Sequence, residues 1–179
     1  NSVGMKLVKL KSKDSGKMIY VGATEVTQDQ WLRVMGSNPS FKKQPTGPVE
    51  KISWLEAQEF CERLSKVEKA LYRLPTATEW KEAAETGMPA DFATPTVAHR
   101  FAWCLDDADD DGARKVATKQ PSTLGIYDMF GNVAEWCLDK KVRGGSFLQS
   151  VGFRFEERPP LHESYKSNFI GLRVVMEPE

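Results

Sequence analysis

The sequence predicts an α+β domain, with helices gathered early, strands towards both ends and a long aperiodic stretch between them. Three observations support this. Capping boxes mark helix starts at Thr27, Ser53 and Thr76. Alternating runs with β-branched residues fall near both ends of the chain. Residues 88–125, by contrast, hold Pro89, Pro95 and Pro121, a dense acidic run and only short apolar pieces. Helices and strands segregated in this way argue for α+β rather than alternating βαβ units.

In chain order, residues 5–11 (MKLVKLK) and 17–26 (KMIYVGATEV) alternate and read as strands joined by a turn at 13–16. The first helix starts at Thr27, paired with Gln30 three residues on, and stops at Gly36 after Met35. The second starts at Ser53, paired with Glu56, and carries the stripe Trp54, Leu55, Ala57, Phe60, Cys61 and Leu64. It is expected to lay Trp54, Phe60 and Leu64 on a sheet that includes the strands near 5–11 and 170–176, the terminal strands being paired. The third starts at Thr76 with Glu79, turns Trp80, Ala83 and Ala84 inward, and stops at Gly87. So long an aperiodic stretch as 88–125 suggests functional or ion-bound loops. Strand signals return at 141–147 and 170–176. With no repeat and no linker, the chain reads as one domain over residues 1–179.

Composition narrows the function classes. The 25 Lys+Arg balance 25 Asp+Glu, which excludes a nucleic-acid binder that works by basic excess. No apolar run reaches the ~18 residues of a membrane span, and 10% aromatic residues supply a core that disordered chains lack. The chain opens on Asn1-Ser2-Val3 without an initiator Met or an apolar signal stretch, the pattern expected of a trimmed start, with any export signal outside it. Cys61, Cys104 and Cys137 allow at most one bridge and lack CxxC spacing, so buried free thiols are expected. His99 and His162 stand far apart without HExxH, GxSxG, Walker or GxGxxG patterns, and read as structural or surface residues.

Two oxygen-rich stretches can be weighed as cation sites. Asp107, Asp109 and Asp111 followed by Gly112 match the first half of a calcium loop, although the twelfth position is Thr118; the same run also reads as a solvated acidic loop. Asp128 and Glu135 flank a Gly131-Asn132 turn that can expose carbonyls to a hard cation. Further on, Phe147, Leu148, Val151, Phe153, Phe155, Leu161, Tyr165 and Phe169 follow no period and are broken by Pro159-Pro160. Aromatics interspersed with Ser and Gly on irregular backbone have the composition of a recognition surface.

These blocks together resemble the formylglycine-generating-enzyme/sulfatase-modifying-factor family. The matching residues are Thr24-Glu25-Val26-Thr27 with Trp31, Met35-Gly36-Ser37-Asn38-Pro39-Ser40, and Pro48-Val49-Glu50 leading to Ser53-Trp54. Tyr72-Arg73-Leu74-Pro75-Thr76 follows, with Glu79-Trp80 and Ala83-Ala84. The most specific piece runs from Leu124-Gly125-Ile126-Tyr127-Asp128-Met129 through Gly131-Asn132 to Glu135-Trp136, then Arg143-Gly144-Gly145-Ser146 and Ile170-Gly171-Leu172-Arg173. The resemblance covers nearly the whole chain and implies a C-type-lectin-like fold, loop-rich and poor in regular structure. It also implies a structural calcium ion held by Asp128, Gly131, Val133 and Glu135, the Gly and Val acting through backbone carbonyls.

One departure bears on function. The family's oxidases carry copper-binding catalytic cysteines between the Gly-Gly-Ser and final Ile-Gly motifs, and here residues 147–169 contain no Cys. Related sulfoxide synthases take histidine iron ligands from an additional domain, of which nothing is seen. The resemblance therefore implies a non-enzymatic binding protein similar to the variable proteins of diversity-generating retroelements, the treponemal ones above all. In these, adenine mutagenesis rewrites the tail, mainly at Asn codons. The reachable residues are Phe147, Leu148, Ser150, Gly152, Phe153, Phe155, Leu161, His162, Ser164, Tyr165, Ser167 and Phe169, the expected ligand-binding set. Gln149, Glu156, Glu157, Glu163 and Lys166 are unreachable and expected to be fixed. Phe147, Leu148, Phe153, Phe155, Leu161, His162, Tyr165 and Phe169 are expected on one contiguous face, with Arg143, Arg154, Arg158 and Arg173 fastening the scaffold. The expected partner is a protein or other macromolecule at a cell surface or in secretion, with no required cofactor beyond structural calcium. An oxidase with a non-cysteine site and a structural or accessory lipoprotein are the alternatives.

Overall fold

The computed structural model describes residues 1–92, 94–107, 112–150 and 159–178. Two sheets organise them. The larger is antiparallel and has the order β1-β2-β7-β3, from β1 (Leu7–Lys11), β2 (Met18–Gly22), β7 (Val175–Glu177) and β3 (Leu71–Arg73). The smaller holds β4 (Ala134–Trp136) between antiparallel β5 (Val142–Arg143) and parallel β6 (Ile170–Leu172). Short strands joined by long irregular segments make this a mixed, loop-rich α+β domain.

Residues 170–176 are therefore two strands rather than the expected one. The run breaks at Arg173-Val174, because Arg173 turns its side chain into the interior between the sheets instead of continuing a ladder. β7 pairs with β2, Tyr20 facing Met176, and not with the first strand. The chain ends still meet, since Asn1 Nδ2 donates to the Tyr72 hydroxyl on β3, the other neighbour of β7. The strand expected at 141–147 is only Val142–Arg143, because Gly144 and Gly145 follow with φ of 93° and 71°, outside the β region.

All three capping boxes form with both reciprocal bonds, on α1 (Gln28–Met35), α2 (Trp54–Glu68) and α3 (Ala77–Glu85). Gly36 caps α1 in the left-handed conformation, as expected, whereas α3 ends at Glu85 with Thr86 as its cap. A short α4 (Pro95–Ala98) follows. On α2 the buried stripe is Ala57, Phe60, Cys61 and Leu64. Leu55 lies about 200° round the helix from Ala57 and is exposed, contrary to its expected place in the core. Trp54 is half-buried at the start of the stripe, packed against the same core, and its indole donates to the Cys137 carbonyl at 2.9 Å.

The core has two lobes. One joins α1 and α2 to the smaller sheet, with Trp31 stacked flat on Phe60 at 5.1 Å. The other surrounds α3, where Trp80 and Phe92 meet Phe130 at 6.1 and 4.8 Å. Between them the chain passes very close to itself. A Cβ on Gly131 would sit 1.9 Å from the Trp103 carbonyl oxygen, and its φ is +77°, so only glycine fits there.

Candidate functional site

Four ionisable side chains meet where the two lobes join, each brought there by a different segment. Arg173 follows directly on β6, β4 contributes Glu135, the turn after Gly125 contributes Asp128, and residues 23–26 carry Glu25 inward from β2. That last segment is held by Val26 N–H to the Leu172 carbonyl and Tyr127 N–H to the Ala23 carbonyl. All four are almost wholly buried. The Arg173 guanidinium donates to both Glu135 oxygens at 2.8–3.1 Å, and to the carbonyls of Gly22 and Tyr127, each at 2.8 Å. Trp80 Nε1 adds a 2.6 Å bond to Glu135 Oε2.

Three carboxyl groups thus share one guanidinium. Burial alone disfavours charge on Arg173, but attraction to Glu135, Glu25 and Asp128 outweighs it and holds the proton firmly. Glu25 has no hydrogen-bond partner on either oxygen among the described residues. Burial first, then repulsion from Asp128 and Glu135, pushes it well above the usual carboxylate range. Asp128, at φ +54°, accepts from Ala117 N–H at 2.6 Å through Oδ2, while Oδ1 is buried without a partner. Burial lifts its carboxyl to about 6 against the pull of that bond and of Arg173.

The donor set fits the expected calcium in part only. Asp128 Oδ1 is an unpartnered oxygen of the right kind. The Glu135 carboxylate is already engaged on both oxygens, by Arg173 Nε and Nη2 and by Trp80 Nε1. In place of a ligand it is the counter-ion of Arg173. Asp128 and Asn132 also fasten the aperiodic stretch, Asn132 accepting from Arg114 N–H at 2.8 Å and donating back to the Arg114 carbonyl. Asp109 and Asp111 of the acidic run lie outside the described residues. Asp107 engages Lys119, His99 and Cys104, and Thr118 accepts from the Trp103 indole.

The tail runs beside the N-terminus of α2. Lys51 N–H bonds the Ser167 carbonyl, Leu55 N–H the Glu163 carbonyl, and Leu161 N–H the Lys140 carbonyl. Two residues expected to be fixed supply the fastenings, Lys166 to Glu56 at 2.6 Å and Glu163 to Lys140 at 2.5 Å. Tyr165 is 44% and Leu148 49% exposed; Ser150, His162 and Ser164 are exposed too, and His162 Nδ1 lies 2.7 Å from Ser164 Oγ. Ser167 is half-buried, and Leu161 and Phe169 lean on the first lobe of the core. Phe147 departs from the expected face. Its N–H is tied to the Asn132 carbonyl and its ring is buried. Gly152, Phe153, Phe155, Arg154 and Arg158 lie outside the described residues.

Sequence reasoning missed two exposed leucines tied to this tail, Leu55 through Glu163 and Leu105 through its N–H to the Gln149 carbonyl. It also missed Glu25, whose burial gives no sign in an alternating strand. Of the scaffold arginines, Arg173 behaves as expected, and Arg143 is half-buried with Asp139 at 3.7 Å. The three cysteines are free and buried, and burial lifts Cys61 to about 12 and Cys137 higher still. No helix among the described residues is long and apolar enough to cross a membrane.

Comparison with known proteins places these features in context. Residues 5–178 match the model of the sulfatase-modifying factor enzyme 1-like domain. The chain is 30% identical over a 196-residue alignment to the chaperone protein LppX of Paenibacillus barcinonensis, spanning 74% of this chain and 70% of that protein. It is 28% identical over 178 residues to a formylglycine-generating enzyme of Thermomonospora curvata, spanning 83% of this chain and 57% of the enzyme. Among solved structures, Treponema denticola variable protein 1 superposes with a TM-score of 0.89 over 99% of this chain and 98% of its own. At 23% identity that likeness is one of fold, the loop-rich C-type-lectin-like fold of this group.

Proposed function

The chain belongs to the family of sulfatase-modifying factor enzyme 1-like domains, and from that premise we propose that it is a non-enzymatic member that binds a macromolecular ligand through its tail. The observation that carries this reading is the tail itself. Between Gly145 and Ile170 there is no cysteine, exposed Tyr165 stands on backbone held by the Lys166–Glu56 and Lys140–Glu163 pairs, and exposed Leu148 stands on a turn closed by Gln149 N–H to the Ser146 carbonyl. A copper–thiolate oxidase needs soft sulfur ligands close together, and neither Cys61 nor Cys137 is exposed or readily ionised. Rigid anchors presented on a fixed path give contact area at low entropic cost, as in antibody loops. The ligand is a protein or other macromolecule, met at a cell surface or in secretion, and the tail is diversified as in the variable proteins of diversity-generating retroelements.

Two experiments test the reading. Copper-loaded protein incubated with a cysteine-containing peptide and oxygen is expected to leave the peptide unchanged by mass spectrometry; conversion of its cysteine to an aldehyde would make the chain an oxidase. The gene is expected beside a reverse transcriptase and an adenine-rich template copy of the DNA encoding residues 147–169. A locus without that template removes the diversification. A structural calcium ion would be held by Asp128 Oδ1 and backbone carbonyls, including those of Gly131 and Val133, with Glu135 left to Arg173. It is expected to raise the melting temperature over that in excess chelator. A second reading, an accessory chaperone, is favoured by the match to LppX; suppression of a client's aggregation without a defined tail epitope would support it.

A further inference from the structure

A second cluster, sharing no residue with the tail or the buried carboxylates, lies where α4 gives way to a 3-10 turn at Leu105–Asp107. His99 caps α4, and Cys104 and Asp107 follow across one tight loop. Cys104 Sγ lies 3.5 Å from His99 Nδ1 and 3.3 Å from Asp107 Oδ2, and His99 Nδ1 lies 3.2 Å from Asp107 Oδ2. Among the described residues this is the one group of three or more metal-ligating side chains whose donor atoms converge within 4.8 Å.

Those three spacings match a face of a coordination tetrahedron. With Zn–S of about 2.3 Å and Zn–N and Zn–O of about 2.0–2.2 Å, tetrahedral angles place sulfur about 3.5 Å from each light donor and the light donors about 3.3 Å apart. Sulfur, imidazole nitrogen and one carboxylate oxygen are also the mixed soft and borderline set that selects zinc over calcium or magnesium. We propose that His99 Nδ1, Cys104 Sγ and Asp107 Oδ2 bind a zinc ion, with water as the fourth ligand.

The surroundings suit such an ion. Lys119 Nζ holds the other oxygen, Asp107 Oδ1, at 3.1 Å and so orients the carboxylate, and it also donates to the His99 backbone carbonyl at 2.6 Å. The Asp107 N–H bond to the Cys104 carbonyl, 3.0 Å, sets the turn that brings sulfur and carboxylate together. Cys104 is buried while the His99 side chain is 30% exposed, which shields the sulfur and leaves an approach from solvent. On binding, the S–H bond breaks, its proton leaves to water and a Zn–S bond forms. A thiolate, a carboxylate and Zn²⁺ then sum to zero charge beside Lys119.

Cobalt(II) reports this coordination directly. Metal-stripped protein titrated with cobalt under reducing conditions is expected to give a thiolate-to-cobalt charge-transfer band and intense visible bands of four-coordinate cobalt, saturating at one equivalent and erased by zinc. Cys104→Ser should abolish the charge-transfer band, and His99→Ala should weaken binding while circular dichroism stays unchanged. Lys119→Met should raise the apparent Kd by about 10-fold or more, as loss of an orienting partner does. No charge-transfer band in the wild-type protein at excess cobalt, or only the faint spectrum of six-coordinate cobalt, overturns the assignment. So does a band that survives Cys104→Ser.

Discussion

Replacing Arg173 by methionine removes the buried guanidinium at the junction of the two lobes while keeping much of its volume. The loss can be worked from its bonds. The guanidinium neutralises Glu135 with contacts of 2.8–3.1 Å and satisfies the carbonyls of Gly22 and Tyr127 at 2.8 Å each. Breaking a buried pair by deleting one partner costs about 3–5 kcal/mol, because the remaining charge stays buried. Two orphaned carbonyls add to that, each costing about 1 kcal/mol or more. In a chain of this size roughly 2–4 °C of melting temperature goes with each kcal/mol, so a fall on the order of 10 °C is expected. The loss should depend on pH, since Glu25 and Asp128 lean towards their neutral forms and weaken the repulsion left behind in mild acid. Urea unfolding of both proteins near neutral and mildly acid pH reads both quantities. The double variant Arg173→Met, Glu135→Met should recover part of the loss, as replaced ion pairs do. A single-variant loss below about 1 kcal/mol would refute the account, as would a double variant that is less stable than the single one.

Other expectations concern the same framework. Glu25 and Asp128 have folded values above their unfolded ones, so the folded state binds the extra protons and stability falls as pH rises through that interval. Asp128, moved from 3.8 to about 6, contributes roughly 3 kcal/mol to that fall; urea midpoints against pH should show the decline, and Glu25→Gln should flatten it and stabilise the protein above neutrality. Gly131→Ala drives a Cβ to 1.9 Å from the Trp103 carbonyl at φ +77° and should cost about 3 kcal/mol or more, read as loss of soluble folded protein. Tyr165→Ala and Leu148→Ser, at half-exposed positions, should move stability by no more than about 0.5 kcal/mol; a larger loss in thermal melts would make them scaffold and not binding surface.

What was legible in the sequence was local. The three capping boxes form as read because a cap depends on four consecutive residues and little else. The segregation of helix and strand signals likewise foretold the α+β class, the family motifs the C-type-lectin-like fold, and guanidinium chemistry the fastening role of Arg173. What escaped was set by distant partners. Residues 170–176 alternate well enough for one strand, and only the demand for Arg173 between the sheets divides them. Phe147 is indistinguishable in composition from its exposed neighbours, yet its bond to Asn132 draws it inward. Leu55 fell into the stripe because it adjoins Trp54, although the face is set by Ala57 and Leu64. His99, Cys104 and Asp107 match no metal motif, and only the loop geometry makes them neighbours. Glu25 sits in an ordinary alternating run, where nothing announces a buried acid.

The division of residues 170–177 also sets the order in which the molecule can be made. β7 is the strand that joins β2 to β3, and β6 completes the smaller sheet against β4. While a ribosome is still translating the preceding segments, β1 and β2 can form a hairpin and the capped helices can flicker, but both sheets lack a member. Neither lobe can seal its apolar side before residue 177 clears the exit tunnel. Folding is thus deferred until nearly all of this domain has emerged, with the pairings that close it among the most distant in sequence, a topology associated with slow folding. Throughout that wait the nascent chain exposes Ile19, Val21 and Trp136, and it is then that holding chaperones would meet it.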